Sequence, residues 1–324
     1  MDQTLTEALD TLPAVPTTAI STTATATTAV TTWGRLSAYV ALLRPRHWVK
    51  GSLVLVGPLV TGPVRSWPHL ATLLLTLAAF LLAASTVYVL NDLRDRESDR
   101  LHPLKRLRPI ASGRVSPAGA VWLLAAMGTG MAGVLVLLPR LVAVIVVAYL
   151  LMNVWYSFAL KRQPLVDVSV VATGFVLRVL AGTVAAGLAP QPFLLIAVYG
   201  ACMALSLGKR RHELSATTDA AVRHRPALSA YSVSFLDHVV VVNLVAALVG
   251  YVAFLWPMRP PYGPVTAVLT FPFATYTIFR YLQMLMVERS GGDPVEDLIR
   301  DRPLLVNVGI WGVILLPVLV VSAL

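Results

Sequence analysis

Apolar stretches of the length needed to cross a bilayer recur along this 324-residue chain, from residue 50 to its end. A membrane-spanning helix needs roughly 20 mostly apolar residues, because each residue rises only about 1.5 Å. Only 13% of the residues are charged, against about 25% in an average soluble domain. The sequence therefore predicts an all-α polytopic membrane bundle of about nine transmembrane helices. The candidate spans lie at about 51–64, 70–90, 118–138, 141–160, 164–187, 192–207, 236–256, 262–286 and 303–323.

The positive charges predict the orientation of these spans. With the N-terminus inside, the inner segments hold 21 of the 26 Lys and Arg residues and the outer loops hold 3. Basic residues concentrate in cytoplasmic loops, so this distribution predicts a cytoplasmic N-terminus. Acids contribute little to topology, yet none lies in an outer loop, which predicts a polar active site that faces the cytoplasm. The same rule accounts for the net charge of +10, so the expected partner is the lipid bilayer and not nucleic acid.

Residues 1–32 differ in composition from the rest of the chain. They are rich in Thr, Ala and Val and contain no Lys or Arg. This composition predicts a disordered cytoplasmic tail that is dispensable for chemistry. The catalytic domain is then expected over residues 33–324.

An acidic run, Asn91–Arg100, follows the second span and holds four acids in ten residues. If the helix continues through it, Asn91, Asp95 and Asp99 lie at i, i+4 and i+8 and drift only about 80° around the axis, with Asp92 at the edge of that face. Clustered oxygen ligands at a membrane surface favour a divalent cation such as Mg²⁺, held for a phosphorylated substrate. The alternative is a solvated charge run that ends a transmembrane helix.

Further charged groups lie on the same predicted face. Basic residues at 105, 106, 108 and 114 follow the acidic run, and such residues beside a metal can clamp a diphosphate from two sides. The alternative is an ordinary stop-transfer loop. Lys209 and Glu213, at i and i+4 after the sixth span, form either a second phosphate clamp or a plain surface helix end. The acidic loop Gly291–Arg302 either orders over a substrate or simply connects two spans.

Asp167 and Arg178 fall inside the fifth span. They are eleven residues apart, which places them on nearly the same side of a helix. Ionisable residues inside a membrane need a partner or a wet cavity and are functional candidates by default. The alternative is a structural ion pair with a neighbouring helix. The six histidines show no metal-ligand spacing, and the chain has no nucleophile elbow, Walker loop or dinucleotide fingerprint. An enzyme built on this chain is expected to work through metal and phosphate electrostatics.

The motif Asn91-Asp92-x-x-Asp95-x-x-x-Asp99 resembles the first aspartate motif of the UbiA prenyltransferase superfamily, and the resemblance covers roughly residues 36–324. Members typically carry a second motif, often Asp-x-x-x-Asp, after the sixth span. This chain has Lys209-Arg210-Arg211-His212-Glu213 there instead. This difference from the second aspartate motif argues against the ordinary activity of the superfamily, in which the prenyl group of a prenyl diphosphate is attached to an aromatic ring.

Other motifs are similar to one branch, the decaprenyl-phosphate phosphoribosyltransferases of mycobacteria and their relatives. This resemblance implies Mg²⁺-dependent transfer of 5-phosphoribose from phosphoribosyl diphosphate to decaprenyl phosphate in the bacterial plasma membrane. The products are diphosphate and decaprenylphosphoryl-5-phosphoribose, a precursor of cell-wall arabinan. The motifs are Arg44-Pro45-x-x-Trp48-x-Lys50, Asp99-Arg100-x-His102-Pro103-x-Lys105-Arg106-x-Arg108-Pro109, Tyr156-Ser157 with Lys161, Gly174-Phe175-x-Leu177-Arg178, Gly208-Lys209-Arg210 and Pro294-x-Glu296-Asp297.

The resemblance also implies roles for individual residues. Mg²⁺ is expected at Asn91, Asp95 and Asp99. Catalytic roles are expected for Asp92, Asp95, Asp99 and Lys209. Contacts to the phosphates and the ribose are expected from Lys50, Lys105, Arg106, Arg108, Tyr156, Lys161, Asp167, Arg178 and Arg210. A homo-oligomer is left open.

Two alternative functions follow from the same sequence. The first is an aromatic prenyltransferase of the same superfamily, which an intact second aspartate motif would have favoured. The second is a lipid-phosphate transporter that uses the basic cavity without breaking a bond. Transporters often show inverted repeats and paired broken helices, and no convincing internal repeat is visible in this sequence. An enzyme is therefore the preferred interpretation.

Overall fold

The computed structural model describes residues 32–64, 66–215, 226–258, 262–288 and 294–323. Over these residues the regular secondary structure is entirely helical. The predicted tail lies outside the described residues except for Thr32, where the first helix begins. The α-helices, in chain order, are α1 (Thr32–Leu43), α2 (Val56–Thr61), α3 (Trp67–Arg94), α4 (Arg96–Leu101), α5 (Pro117–Leu137), α6 (Arg140–Phe158), α7 (Val166–Ala185), α8 (Pro192–Ser215), α9 (Val233–Leu255), α10 (Tyr262–Met286), α11 (Pro294–Arg300) and α12 (Arg302–Ala323). Short 3₁₀ helices lie at Pro45–Leu55, Lys105–Leu107, Leu160–Arg162 and Pro226–Ala230.

Among the residues that the structure describes, six helices, α3 and α5 to α9, are long and apolar enough to cross a membrane. This confirms the prediction of an all-helical multi-pass membrane protein, whereas the count of nine spans is not confirmed. The first predicted span, 51–64, consists of the end of the 3₁₀ helix Pro45–Leu55 and the six-residue helix α2. Gly57 and Pro58 lie inside α2, and Pro58 has no N–H to donate, so this segment does not form one long α-helix.

Serine side chains cap three of the long helices. Ser66, Ser116 and Ser232 accept hydrogen bonds from backbone N–H groups in the first turns of α3, α5 and α9. Each serine has an extended backbone conformation, which is the usual geometry of an N-cap residue. These caps fix where the helices begin, and with them the register of the residues at the opposite ends.

The described helices pack around four apolar cores, and the two largest of these both include residues of α7. One core packs α3, α6 and α7 around buried residues such as Phe80, Val146 and Ala181. The other packs α7 to α10 around residues such as Val168, Leu207 and Leu236. Helix α7 contributes to both cores, so the polar residues at its ends are held against α3 on one side and α8 on the other.

Glycine allows α7 to approach the 3₁₀ helix Pro45–Leu55 closely. A Cβ atom added at Gly182 would lie 1.7 Å from the backbone carbonyl oxygen of Val54. Because that neighbour is backbone, it cannot rotate away as a side chain can.

We expect Gly182→Ala to destabilise the protein by about 1–3 kcal/mol, since it overpacks this contact. Thermal unfolding of the purified protein in detergent measures the change. Gly133→Ala is the matched control, because a Cβ atom at Gly133 meets nothing within 4 Å. Equal Tm values for the two variants would contradict the close approach of α7 and Val54.

Candidate active site

The acidic run Asn91–Arg100 lies where α3 gives way to α4. The helix is interrupted at Asp95, which serves as the C-cap of α3 and the N-cap of α4. Backbone hydrogen bonds nevertheless connect Asp95 N–H to Asn91 O and Asp99 N–H to Asp95 O, both at 2.8 Å. The helical register of Asn91, Asp95 and Asp99 thus continues through the interruption at Asp95, as the sequence predicted.

Two of the aspartates in this run are buried and paired with arginines. Asp92 Oδ1 accepts hydrogen bonds from Arg44 Nη2 at 2.6 Å and from Arg108 Nη1 at 3.1 Å. Arg108 Nη1 also donates to Asp99 Oδ2 at 2.7 Å, so Arg108 bridges the two carboxylates. Asp92 and Asp99 are only 2% and 3% exposed, and buried carboxylates at these positions require such partners. We call Arg44, Asp92, Asp99 and Arg108 the inner ion-pair network.

Arg44 belongs to this network although it was not among the predicted site residues. Its backbone φ of 52° lies in the left-handed region, which is uncommon for a residue other than glycine. Its guanidinium group also lies 4.9 Å from the centre of the Tyr88 ring. The ion pair with Asp92 and this cation–π contact hold Arg44 in place before the 3₁₀ helix.

Asn91 and Asp95, the other two predicted metal ligands in this run, have fewer contacts. Among the described residues, the buried Oδ1 atom of Asn91 has no hydrogen-bond partner. Asp95 is about one-third exposed, and its nearest cation, Lys161 Nζ, lies 3.7 Å from Oδ2. The contact with Lys161 brings two predicted site residues together, across the connection between α6 and α7.

These two residues fit a magnesium site. Mg²⁺ prefers oxygen ligands and is usually held by one or two carboxylates together with waters and substrate phosphates. The Asp95 carboxylate, whose nearest cation is 3.7 Å away, and the buried Asn91 Oδ1, which has no partner among the described residues, supply such ligands. In the described part of the chain, no group of three or more His, Cys, Asp and Glu side chains could hold a metal ion. The third predicted ligand, Asp99, is directed towards Arg108.

A second polar cluster joins α7 to α8. Asp167 is fully buried, and its Oδ2 accepts a hydrogen bond from Arg210 Nε at 3.0 Å. Arg210 Nη1 also donates to Glu213 Oε2 at 3.0 Å. The expected i, i+4 pair of Lys209 and Glu213 is thus replaced by the i, i+3 pair of Arg210 and Glu213.

Tyr231 completes this cluster from a position 64 residues away from Asp167. Its hydroxyl lies 3.4 Å from Asp167 Oδ1 and accepts a hydrogen bond from the backbone N–H of Leu165. Burial raises the pKa of Tyr231, so the hydroxyl stays protonated and can donate to Asp167. No sequence signal identified Tyr231, because its contact with Asp167 joins two segments that are 64 residues apart in the chain.

Arg178 is buried near the middle of α7. It donates from Nη1 to the Gly174 carbonyl at 2.9 Å and from Nη2 to the Tyr149 hydroxyl at 2.6 Å. Its guanidinium lies 4.5 Å and 5.3 Å from the ring centres of Tyr149 and Phe175. Its Nε is buried without a partner, and among the described residues no carboxylate contacts it. Asp167 pairs with Arg210 and not with Arg178. The positive charge of Arg178 is therefore not neutralised by Asp167 and is available to bind another anion.

The remaining predicted residues lie at or near the surface. Lys209, Lys105 and Arg106 are exposed, and their side chains form no hydrogen bond or ion pair within the described ranges. Lys50 is exposed and Tyr156 is partly buried. The structure brings Asp95 to Lys161, Asp167 to Arg210, and Arg108 to Asp92 and Asp99.

A sequence model of the UbiA prenyltransferase family matches residues 50–292. The chain belongs to the UbiA prenyltransferase family. Family membership agrees with the helical fold and with the acidic run at the end of α3.

Curated relatives within the UbiA family extend the similarity over most of the chain. A decaprenyl-phosphate phosphoribosyltransferase of Mycobacterium tuberculosis is 35% identical over 285 residues, which cover 85% of this chain and 92% of the relative. A protein of the same name from Corynebacterium glutamicum is 33% identical over 288 residues and covers 84% and 83% of the two chains. The resemblance to this branch is thereby confirmed.

Solved structures support the UbiA fold. A UbiA homologue from Archaeoglobus fulgidus, solved with GPP and Mg²⁺, matches with a TM-score of 0.64. The match covers 87% of this chain and 99% of that chain at 17% sequence identity. At this identity the likeness concerns the fold.

One buried arginine in this UbiA family member was not predicted to have a role. Arg211 donates from Nε to Asp237 Oδ1 on α9 and from Nη1 to the Leu285 carbonyl on α10, the latter at 2.8 Å. It therefore ties the end of α8 to two neighbouring helices. Its neighbours Lys209 and Arg210 are held in register by the same contacts.

Proposed function

We propose that the protein transfers the 5-phosphoribosyl group of phosphoribosyl diphosphate to a polyprenyl phosphate such as decaprenyl phosphate. The observation that carries the proposal is the 32–35% identity to curated decaprenyl-phosphate phosphoribosyltransferases over 85% of the chain. The products are diphosphate and decaprenylphosphoryl-5-phosphoribose, which serves cell-wall arabinan synthesis. We place the enzyme in the bacterial plasma membrane with its polar site and N-terminus in the cytoplasm, as the distribution of Lys and Arg favours.

The reaction exchanges one bond at C1 of the ribose for another. The bond from C1 to the diphosphate oxygen breaks, and a bond from C1 to an oxygen of the polyprenyl phosphate forms. Negative charge grows on the departing diphosphate, so fixed cations around it lower the barrier. The acceptor phosphate is mostly ionised at neutral pH, because the second pKa of a phosphate monoester is about 6. No strong general base is therefore required.

Cations without a contacting carboxylate are the groups that can hold the phosphates. Arg178 is buried with its charge uncancelled, and Lys209, Lys105 and Arg106 are exposed and unpaired among the described residues. Arg210, by contrast, is held by Asp167 and Glu213, so its role is to fix the end of α8 beside Lys209. Phosphate binding is therefore assigned to Arg178, Lys209, Lys105 and Arg106.

Asn91 and Asp95 are the residues that would hold Mg²⁺. Bound there, the ion would neutralise charge on the diphosphate oxygens. The inner ion-pair network keeps Asp92 and Asp99 buried behind these two residues. It thereby fixes the backbone that positions Asn91 and Asp95.

The transfer is tested with membranes that contain the protein, labelled phosphoribosyl diphosphate, decaprenyl phosphate and Mg²⁺. Label is expected in the organic phase only when all three additions are present, and chelation of Mg²⁺ is expected to abolish it. Transfer of a prenyl group from a prenyl diphosphate to an aromatic acid, with no phosphoribosyl transfer, would instead assign the protein to the ordinary activity of its superfamily.

We expect Arg178→Met to lower the transfer rate by about 10²-fold, because it removes a fixed charge from the site. The Tyr149 hydroxyl and the Gly174 carbonyl lose this donor, so we expect a loss of stability of about 1–3 kcal/mol without global unfolding, since no carboxylate among the described residues loses its partner. Transfer assays together with thermal unfolding measure the two effects. A variant that keeps full activity would remove Arg178 from the site.

A further inference from the structure

The connection between α6 and α7 contains a strained turn. Leu165 has a backbone φ of 62° and a ψ of −41°, and the Val166 N–H donates to the Pro164 carbonyl at 2.7 Å. A hydrogen bond from residue i+2 back to residue i, around a central residue with positive φ, defines the rare and strained form of the γ-turn. Glycine adopts positive φ at little cost, but this position holds a leucine. We call residues 164–166 the γ-turn.

The γ-turn is held by Tyr231 and not by the leucine side chain. The Leu165 side chain is 42% exposed, whereas the Leu165 N–H donates to the Tyr231 hydroxyl. Tyr231 is itself buried in the apolar core that packs α7 to α10, beside Leu228 and Leu236. Strained backbone persists only where the surrounding structure enforces it. A hydroxyl fixed by the packing of its own ring supplies that enforcement.

The γ-turn lies between two halves of the candidate active site. On one side, Lys161 Nζ lies 3.7 Å from the Asp95 carboxylate of the acidic run. On the other side, Asp167 is bonded to Arg210 Nε at 3.0 Å, at the end of α8. Lys161 and Asp167 are only six residues apart in the chain. The backbone angles at Leu165 therefore set where one half of the site lies relative to the other.

We infer that Tyr231 is a positioning residue, which holds the γ-turn in its strained form and thereby sets the placement of Asp95 relative to Arg210. This inference rests on the proposed function and deepens it. Tyr231 acts through the backbone at Leu165 and not on the reacting atoms. Relaxation of the γ-turn would shift the two halves of the site, and a displacement of about 1 Å can cost about 10²-fold in rate.

The first test is Tyr231→Phe, which removes the hydroxyl and keeps the buried ring. We expect kcat for phosphoribosyl transfer to fall by about 10–100-fold, because the two halves are no longer held in register. The KM for phosphoribosyl diphosphate should change little, because the pairs of Lys161 with Asp95 and of Asp167 with Arg210 remain. Thermal unfolding in detergent checks that the variant is folded. An unchanged kcat would overturn the inference.

A second substitution separates backbone strain from the loss of a hydrogen bond. Glycine tolerates positive φ without the tyrosine, whereas alanine keeps the Cβ atom that makes the turn costly. Leu165→Gly in the Tyr231→Phe background should therefore restore most of the lost kcat, and Leu165→Ala in the same background should not. Equal recovery with glycine and alanine would trace the effect to the leucine side chain. That result, or no recovery with either residue, would overturn the inference.

Hydrogen exchange at the Val166 N–H follows the γ-turn without turnover, because the turn holds this group on the Pro164 carbonyl. We expect exchange about 10-fold faster in Tyr231→Phe, a return towards the wild-type rate with Leu165→Gly, and no return with Leu165→Ala. If exchange follows this order but the wild type transfers no phosphoribosyl group, the proposed function alone fails. If the wild type is active and exchange is the same in Tyr231→Phe, the inference alone fails.

Discussion

Replacement of Asp95 by alanine is expected to reduce phosphoribosyl transfer by about 10²–10³-fold. Asp95 is the one carboxylate of the acidic run that is both partly exposed and free of a close arginine in the described structure. Its loss would leave Asn91 as the remaining protein ligand for Mg²⁺. Stability should change by less than about 1 kcal/mol, because the 3.7 Å contact with Lys161 is partly solvated. Transfer assays across a range of Mg²⁺ concentrations measure the effect.

The matched control for this variant is Glu97→Ala. Glu97 lies two residues away, and its exposed side chain pairs only with Arg96 and Arg100 among the described residues. Exposed pairs of this kind contribute little, so activity should remain near that of the wild type. Equal losses in the two variants would show that the acidic run acts through its total charge and not through Asp95 as a ligand.

Breaking the buried pair between Asp167 and Arg210 is expected to destabilise the protein by about 3–5 kcal/mol, because a charge stays buried without its partner. Asp167→Ala removes the acceptor from Arg210 Nε and from the Tyr231 hydroxyl together. Thermal unfolding in detergent should show a clear fall in Tm. Transfer should fall with it, since Arg210 fixes the end of α8.

A double variant separates the two effects of this pair. Asp167→Leu with Arg210→Met replaces both buried charges by apolar side chains, which is often neutral for stability. Glu213, which loses Arg210, is about one-quarter exposed and can be hydrated. We expect Tm to return towards the wild-type value while transfer stays about 10²-fold lower, because Arg210 no longer fixes the end of α8 beside Lys209. Recovery of activity along with stability would show that the pair stabilises the fold without positioning Lys209.

The sequence predicted most of the fold, because the membrane reduces the choice of structure to apolar helices of sufficient length. The spans assigned to α3, α5 to α7, α9, α10 and α12 lie within a few residues of the observed helices, whereas α8 extends eight residues beyond the predicted end at 207. The predicted span 51–64 is not one continuous helix, and hydropathy does not distinguish a continuous helix from a 3₁₀ segment followed by a six-residue α-helix.

The sequence predicted the arrangement of residues along one helix better than the pairs that form between helices. Local helix geometry keeps Asn91, Asp95 and Asp99 in the register expected from their i, i+4 spacing, and their role at a metal stays a prediction. The partner of Asp167 is 43 residues away on another helix, and spacing along one helix could not reveal it. The same holds for Arg211 with Asp237, whose contact depends on how α8 packs against α9.

The inner ion-pair network has a consequence for how the protein is made. Its four members lie between residues 44 and 108, so the ribosome supplies all of them before α5 begins at Pro117. Asp92 and Asp99 can therefore pair with Arg44 and Arg108 while the rest of the chain is still being synthesised. Each pair joins one negative charge to one positive charge, so the net charge of this segment is unchanged when the pairs form. The contacts that support the candidate active site can thus form before the helices that follow are made.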